Sequence, residues 1–108
     1  MNLTTEIFGD VIVVHAPDEV GREQADAFAQ YLPTLDRKNV VLDLDATEAI
    51  DSAGLEAIVK SQRELIEDGG DIKISVTNAT NRKILEITRL DVELEIFDSV
   101  IDAVKSFA

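Results

Sequence analysis

The stretch from Val40 to Gly70 limits what this chain can fold into more than any other. Its first six residues, Val40-Val41-Leu42-Asp43-Leu44-Asp45, alternate. Val40, Leu42 and Leu44 face one way and Val41, Asp43 and Asp45 the other, which is the period of a strand. From Leu55 the period becomes that of a helix, with Leu55, Ile58, Val59, Leu65 and Ile66 predicted to form one apolar stripe. Asp68-Gly69-Gly70 ends it, since glycine enters positive φ without a steric penalty. Asp51 and Ser52 therefore fall where a strand-to-loop passage becomes a helix N-terminus. Such a place suits a cap, which Ser52 could supply through its hydroxyl, and it also suits an anion.

The same alternation of periods runs through the rest of the chain. Leu3–Phe8 and Val11–His15 read as two strands joined by a Gly9-Asp10 turn. Val11-Ile12-Val13-Val14 is apolar throughout, as in a strand covered on both faces. Ala16-Pro17-Asp18 breaks it, and Arg22–Leu32 has helical spacing, with Ala25, Phe28, Ala29 and Leu32 on one face and Pro33 at its end. Asp71–Val76 is another strand, with Ile72, Ile74 and Val76 aligned. Asn78 is placed to cap a helix from Ala79 to Arg89 whose Ile84, Leu85, Ile87 and Thr88 turn inward. Val92–Phe97 alternates as a last strand, and Asp98 or Ser99 would cap a final helix carrying Val100, Ile101, Val104 and Phe107. The order β-β-α-β-α-β-α-β-α calls for crossover connections. It predicts an α/β fold with four helices on a mixed, mostly parallel sheet that carries an N-terminal hairpin. Groups that follow a strand and precede a helix, here Asp18 and the Asp51-Ser52 pair, could then share one face.

A chain of 108 residues suits one domain, 1–108, and 45% hydrophobic content is enough for a core. With 22 acidic against 10 basic residues and a net charge of −12, it would repel nucleic acid and anionic membrane surfaces. A basic protein surface is the expected kind of partner. The lack of cysteine leaves no disulfide and no thiolate metal site and fits a reducing, cytoplasmic location. Met1–Glu6 has no basic, then apolar, leader pattern, and no run reaches the length of a membrane span.

Catalytic chemistry has little to work with. His15 is the single histidine and there is no cysteine, so a Cys–His dyad is excluded and a histidine-rich zinc site is not expected; an edge or structural role suits its place at a strand end. Asp68-Gly69-Gly70-Asp71 lacks the lysine and spacing of a phosphate loop. Asp43, Asp45, Glu48 and Asp51 are dense enough to raise a metal or phospho-aspartate site. A phosphorelay receiver, however, needs an acidic pair after the first strand and a lysine after the fifth. The first hairpin offers only Asp10, and Asp98-Ser99 stands where the lysine should be. No enzyme activity, metal or cofactor is expected.

The order of the five residues Asp51-Ser52-Ala53-Gly54-Leu55 goes beyond what a cap requires. It resembles the Asp-Ser-(Ser/Thr/Ala)-Gly-Leu signature of STAS domains, the family of anti-sigma factor antagonists and sulphate-transporter tails. The length and the order of elements match over essentially the whole chain. Asp18 falls where the family often has a Gly-Glu-Leu-Asp turn, although the turn here is His15-Ala16-Pro17-Asp18. Asn78–Leu90 resembles the segment that usually ends in Gly-Leu, here Arg89-Leu90. Glu56 stands where regulators often carry a small residue; it could pair with Lys60 one turn on. The resemblance implies a non-enzymatic antagonist with Ser52 as phosphoacceptor and a partner surface of Asp18, Asp51, Ser52, Ala53, Gly54, Leu55 and Glu56. The partners it implies are an anti-sigma factor that is also a serine kinase, and a phosphatase acting on phospho-Ser52. The other role open to such a domain is an unphosphorylated adaptor or scaffold in a lipid-transport or stress-sensing complex.

Overall fold

A computed structural model describes residues 1–108, the side chain of Asp91 excepted. The chain runs β1 (Thr5–Phe8), β2 (Val11–His15), β3 (Glu19–Val20), α1 (Arg22–Tyr31), a 3-10 turn (Leu32–Thr34), β4 (Asn39–Asp43), β5 (Ala49–Ile50) and α2 (Ser52–Glu67). It continues with β6 (Asp71–Ser75), α3 (Ala79–Ile87), a single helical turn α4 (Leu90–Glu93), β7 (Ile96–Phe97) and α5 (Val100–Lys105). The main sheet has the order β1-β2-β4-β6-β7, antiparallel between β1 and β2 and parallel elsewhere. The strand order advances steadily in one direction, and right-handed crossovers then place α1, α2 and α3 on the same face. The expected α/β architecture with its N-terminal hairpin is the one found.

Two-sided burial follows from the alternation. Ile12 and Val14 of β2, Val40 and Leu42 of β4, and Ile72 and Ile74 of β6 pack under Phe28 and Leu32, under Leu55, Ile58 and Leu65 of α2, and under Leu85 of α3. The other residues of the same strands, Val11, Val13 and Val41, face α5 and meet Ala103. Lys73, also on that face, passes its stem between aromatic rings: its Nζ lies 4.3 Å from the Phe107 ring centre and donates to Ser106 O (3.2 Å) and Oγ (2.9 Å). A cation at the carbonyl end of α5 is favourable to the helix.

Several expectations are corrected. Val92–Phe97 is not one strand: the chain first makes the turn α4 and pairs only at Ile96–Phe97, with Val92 82% exposed and Leu94 buried. Strand β1 starts at Thr5 rather than Leu3. Ile66, Ile87, Thr88 and Ile101, assigned to the core from their spacing, are exposed; the buried neighbours on those helices include Ser61, Gln62, Asn81 and Ala103. Asn81 is buried because its Nδ2 donates to Leu44 O and Thr47 O (3.0 and 2.7 Å), tying α3 to the loop after β4. The helix stop after α2 stands, with Gly69 at φ +91°. A Cβ at Gly70 would lie 2.1 Å from Lys38 O, so glycine is also needed there for close approach. Asn78 caps α3 through Oδ1, which accepts from Thr80 N and Asn81 N.

Two residues hold unfavourable positions. Arg89 sits at φ +61°, ψ +19°, the left-handed conformation between α3 and α4 that costs a residue with a Cβ roughly 1 kcal/mol. Arg89→Gly should therefore raise stability by about 0.5 kcal/mol, the strain relief exceeding glycine's greater unfolded entropy, as read from the urea midpoint. Ser75 Oγ is buried without a hydrogen-bond partner among the described residues. Ser75→Ala should stabilise by about 1 kcal/mol by removing a desolvated hydroxyl; a loss in the same assay would mean that the oxygen is satisfied.

Candidate functional site

The site is built where β3 and β5 run side by side in parallel, Glu19 beside Ala49 and Val20 beside Ile50. These two-residue strands place Gly21 next to Asp51, and each of these residues precedes a helix. Asp51 is extended (φ −121°, ψ 176°) and is the N-cap of α2, its Oδ1 accepting from Gly54 N at 3.0 Å. Its other oxygen, Oδ2, accepts from Arg22 N at 2.9 Å, the first residue of α1. One carboxylate thus caps two helices, where both positive ends and their unpaired N–H groups favour an anion. The cap expected from Ser52 is made by Asp51 instead. Ser52 is the first residue inside α2, and the N–H group of Gly54 that a cap would serve is already taken by Asp51.

Two glycines make this geometry possible. A Cβ on Gly54 would lie 1.9 Å from Val20 O, so the first turn of α2 can rest on the β3 backbone only without a side chain. A Cβ on Gly21 would come within 2.9 Å of Asp51 Oδ2 and crowd the carboxylate. Gly21 N is held by Gln24 Oε1 at 3.1 Å, and Asp51 N donates to Val20 O at 3.3 Å. The hydrogen bonds from Gly54 N–H, then Arg22 N–H, hold the Asp51 carboxyl below its ordinary range. A depressed pKa means a contribution present above the unfolded value of 3.8 and lost as pH falls through the folded one.

Ser52 is exposed, and its Oγ makes no hydrogen bond among the described residues. Its two neighbours in the chain each border a groove. Asp51 borders one of 480 Å³, rimmed by Glu19, Glu48 and Arg22 with Ile50 and Ile84 in its lining. Ala53 borders the other, 410 Å³, between α1 and α2, lined by Ala25, Ala29 and Ala57 and flanked by Asp26, Glu56 and Lys60. Glu56 is exposed, and among the described residues it makes no ion pair with Lys60. Leu55 and Gly54 are buried, so their part in the site is to fix the backbone beneath it.

Asp18 is brought to the same end of the molecule but not into contact with Asp51. It lies at the opposite end of the β3–β5 ladder, where its carbonyl accepts from Glu48 N (2.7 Å) and Ala49 N (3.1 Å) and its side chain is exposed. The other acidic candidates are engaged in structure. Asp43 bonds His15 and Asp45 N, and Asp45 Oδ1 accepts from Thr77 N, Thr77 Oγ1 and Asn78 N. Among the described residues, no group of three potential ligands could hold a metal ion. None of their helices is long and apolar enough to cross a membrane. Sequence reasoning missed Gly21, Val20 and the Arg22 N–H; the available signal was a glycine directly before a helical period.

The contrast between the two neighbours is testable. Asp51→Ala should lower the urea midpoint clearly while Ser52→Ala leaves it nearly unchanged, because only the former removes hydrogen bonds from two helix ends. In Asp51→Asn the stability deficit should shrink as pH falls through the wild-type Asp51 pKa, since the wild type then loses its charged cap; this is checked by urea melts at a series of acidic pH values.

The STAS domain family model matches residues 2–103. The fold is shared with the Thermotoga maritima protein TM1081 (24% identity over 96% of this chain and 92% of that one, TM-score 0.82). It is shared with an anti-sigma factor antagonist from Mycobacterium paratuberculosis (22% identity, 97% and 92%, TM-score 0.83). It is shared as well with the phosphorylated form of the Bacillus cell fate determinant SpoIIAA (14% identity, 99% and 100%, TM-score 0.70). With the family's pattern extending over nearly all of the sequence and its Asp51–Leu55 turn placed at the joint of two helices, this chain belongs to the STAS domain family.

Proposed function

We propose that the protein is a cytoplasmic anti-sigma factor antagonist whose partner is an anti-sigma factor with serine kinase activity, and that Ser52 is the phosphoacceptor. The observation that carries this reading is the Ser52 hydroxyl, which is exposed and unbonded at the start of a long helix. Structural neighbours that are anti-sigma factor antagonists, with SpoIIAA solved in both unphosphorylated and phosphorylated forms, support it. The binding surface comprises Asp18, Asp51, Ser52, Ala53 and Glu56, held in place from beneath by Gly54 and Leu55. The protein acts by binding and performs no catalysis of its own.

The electrostatics suit a switch. Phosphorylation adds about −1.5 to −2 charges at neutral pH. The new phosphate would stand on the exposed first residue of α2, next to the Asp51 carboxylate that occupies Gly54 N–H and Arg22 N–H. It would then oppose the nucleotide phosphates of a bound kinase. A change of about 3 kcal/mol alters affinity roughly 200-fold, enough to exchange partners without refolding. A phosphatase acting on phospho-Ser52 resets the cycle.

Incubation with the partner kinase and ATP should give one phosphate on Ser52 by mass spectrometry and none on Ser52→Ala. Ser52→Ala should stay bound to the kinase in ATP, whereas Ser52→Glu should bind about 100-fold more weakly with an unchanged circular dichroism spectrum. A stably bound partner with no phospho-Ser52, either after kinase treatment or in protein from the native cell, would replace this reading with that of an adaptor or scaffold.

A further inference from the structure

We propose that Glu6, His15 and Asp43 form a proton-gated latch on the edge strand β1, closed while the imidazole carries two protons and opened when it loses one. The His15 ring lies between two carboxylates, with Nδ1 2.8 Å from Asp43 Oδ2 and Nε2 3.0 Å from Glu6 Oε1. Ionised carboxylates only accept, and a neutral imidazole has one donor and one acceptor nitrogen. Both bonds therefore exist together only in the imidazolium form.

Loss of the proton must break one link, and the surroundings decide which. The Asp43 side chain is 14% exposed and fixed by Asp45 N on its other oxygen, whereas that of Glu6 is 54% exposed. The proton stays on Nδ1 facing Asp43, and Glu6 is left against a lone pair and turns to water. Glu6 belongs to β1, which is antiparallel to β2 on one side and unpaired on the other, with all four of its residues exposed. The backbone ladder to β2 holds this strand with little apolar burial of its own four residues, so a charge-assisted hydrogen bond from its side chain adds to what fastens it.

The remaining charges on that face are committed elsewhere. Asp45 beyond β4 is bound to Thr77 and Asn78, Lys73 on β6 to Ser106, and Asp102 and Lys105 of α5 are exposed and make no bond to His15. The Glu6 carboxylate first, and Asp43 with it, raise the His15 pKa above 6.5 against the opposing pull of partial burial. A raised pKa gives stabilisation that is complete below 6.5 and is lost as pH rises through the folded value, so the latch opens above the ordinary histidine range.

Amide hydrogen exchange followed by NMR across the His15 titration tests this, with rates corrected for the intrinsic effect of pH. Opening of β1 amides should rise about tenfold for each pH unit by which the wild-type His15 pKa exceeds that of Glu6→Gln, while α2 and β4 amides show no such step. Glu6→Gln should abolish the step and lower the His15 pKa, because a carboxamide can donate to or accept from either form of the ring. Flat β1 protection through the titration, an unchanged step in Glu6→Gln, or a His15 pKa at or below 6.5 would each overturn the proposal.

Discussion

The carboxylate of Asp51 is the interaction on which the functional end of this molecule depends. A helix N-terminus presents several N–H groups without intrahelical partners, and α1 and α2 begin side by side. One aspartate serves both by dividing its two oxygens, Oδ1 to Gly54 N and Oδ2 to Arg22 N. The arrangement works only because the adjoining backbones come closer than side chains permit, at Gly21 and at Gly54. The small β3–β5 ladder supplies the register, and the two helices in turn cover most of one face of the main sheet.

This arrangement changes how the neighbouring serine is understood. As a cap, Ser52 would be occupied by its own helix. As the first residue after the cap, it leaves the helix end to Asp51 and presents its hydroxyl outward. Recognition and support are thereby divided between adjacent residues: Asp51, Gly54 and Leu55 set the turn, and Ser52, Ala53 and Glu56 face the surroundings.

Much of this was legible in the sequence, and what was missed has physical causes. Strand β2 was found at its true ends, Val11 to His15, because a two-sided apolar run between turn residues has few alternatives. Asn78 was recognised as a cap and Gly69 as a helix stop because each acts through its own local chemistry. The β3–β5 ladder was invisible, since two-residue strands have no period and exist only through their pairing. Val92–Phe97 alternates like a strand, but the segment first closes a helical turn through Leu94 N to Leu90 O (2.8 Å) and enters the sheet late. Ile66, Ile87 and Ile101 stand one or two places along the helix from the buried Leu65, Leu85 and Ala103, which turns them off the buried face to solvent. Ser52 is a good capping residue by type, but Asp51 stands one place earlier, and its bond from Gly54 N, with the second from Arg22 N, gives it the cap.

The two faces of the sheet are unequally protected. Three helices cover one, and the six-residue α5, pinned by Lys73, covers the other. Local opening in proteins begins where few apolar contacts hold an element, so detachment of the short α5, like that of β1, is a low-cost partial unfolding. What it would bare is Val11, Val13 and Val41, a patch of β-branched side chains on neighbouring strands. Such a surface invites association with its own kind. Here the net charge of −12 acquires a second meaning: mutual repulsion keeps transiently opened copies apart and acts as a colloidal safeguard for the thinly covered side of the sheet.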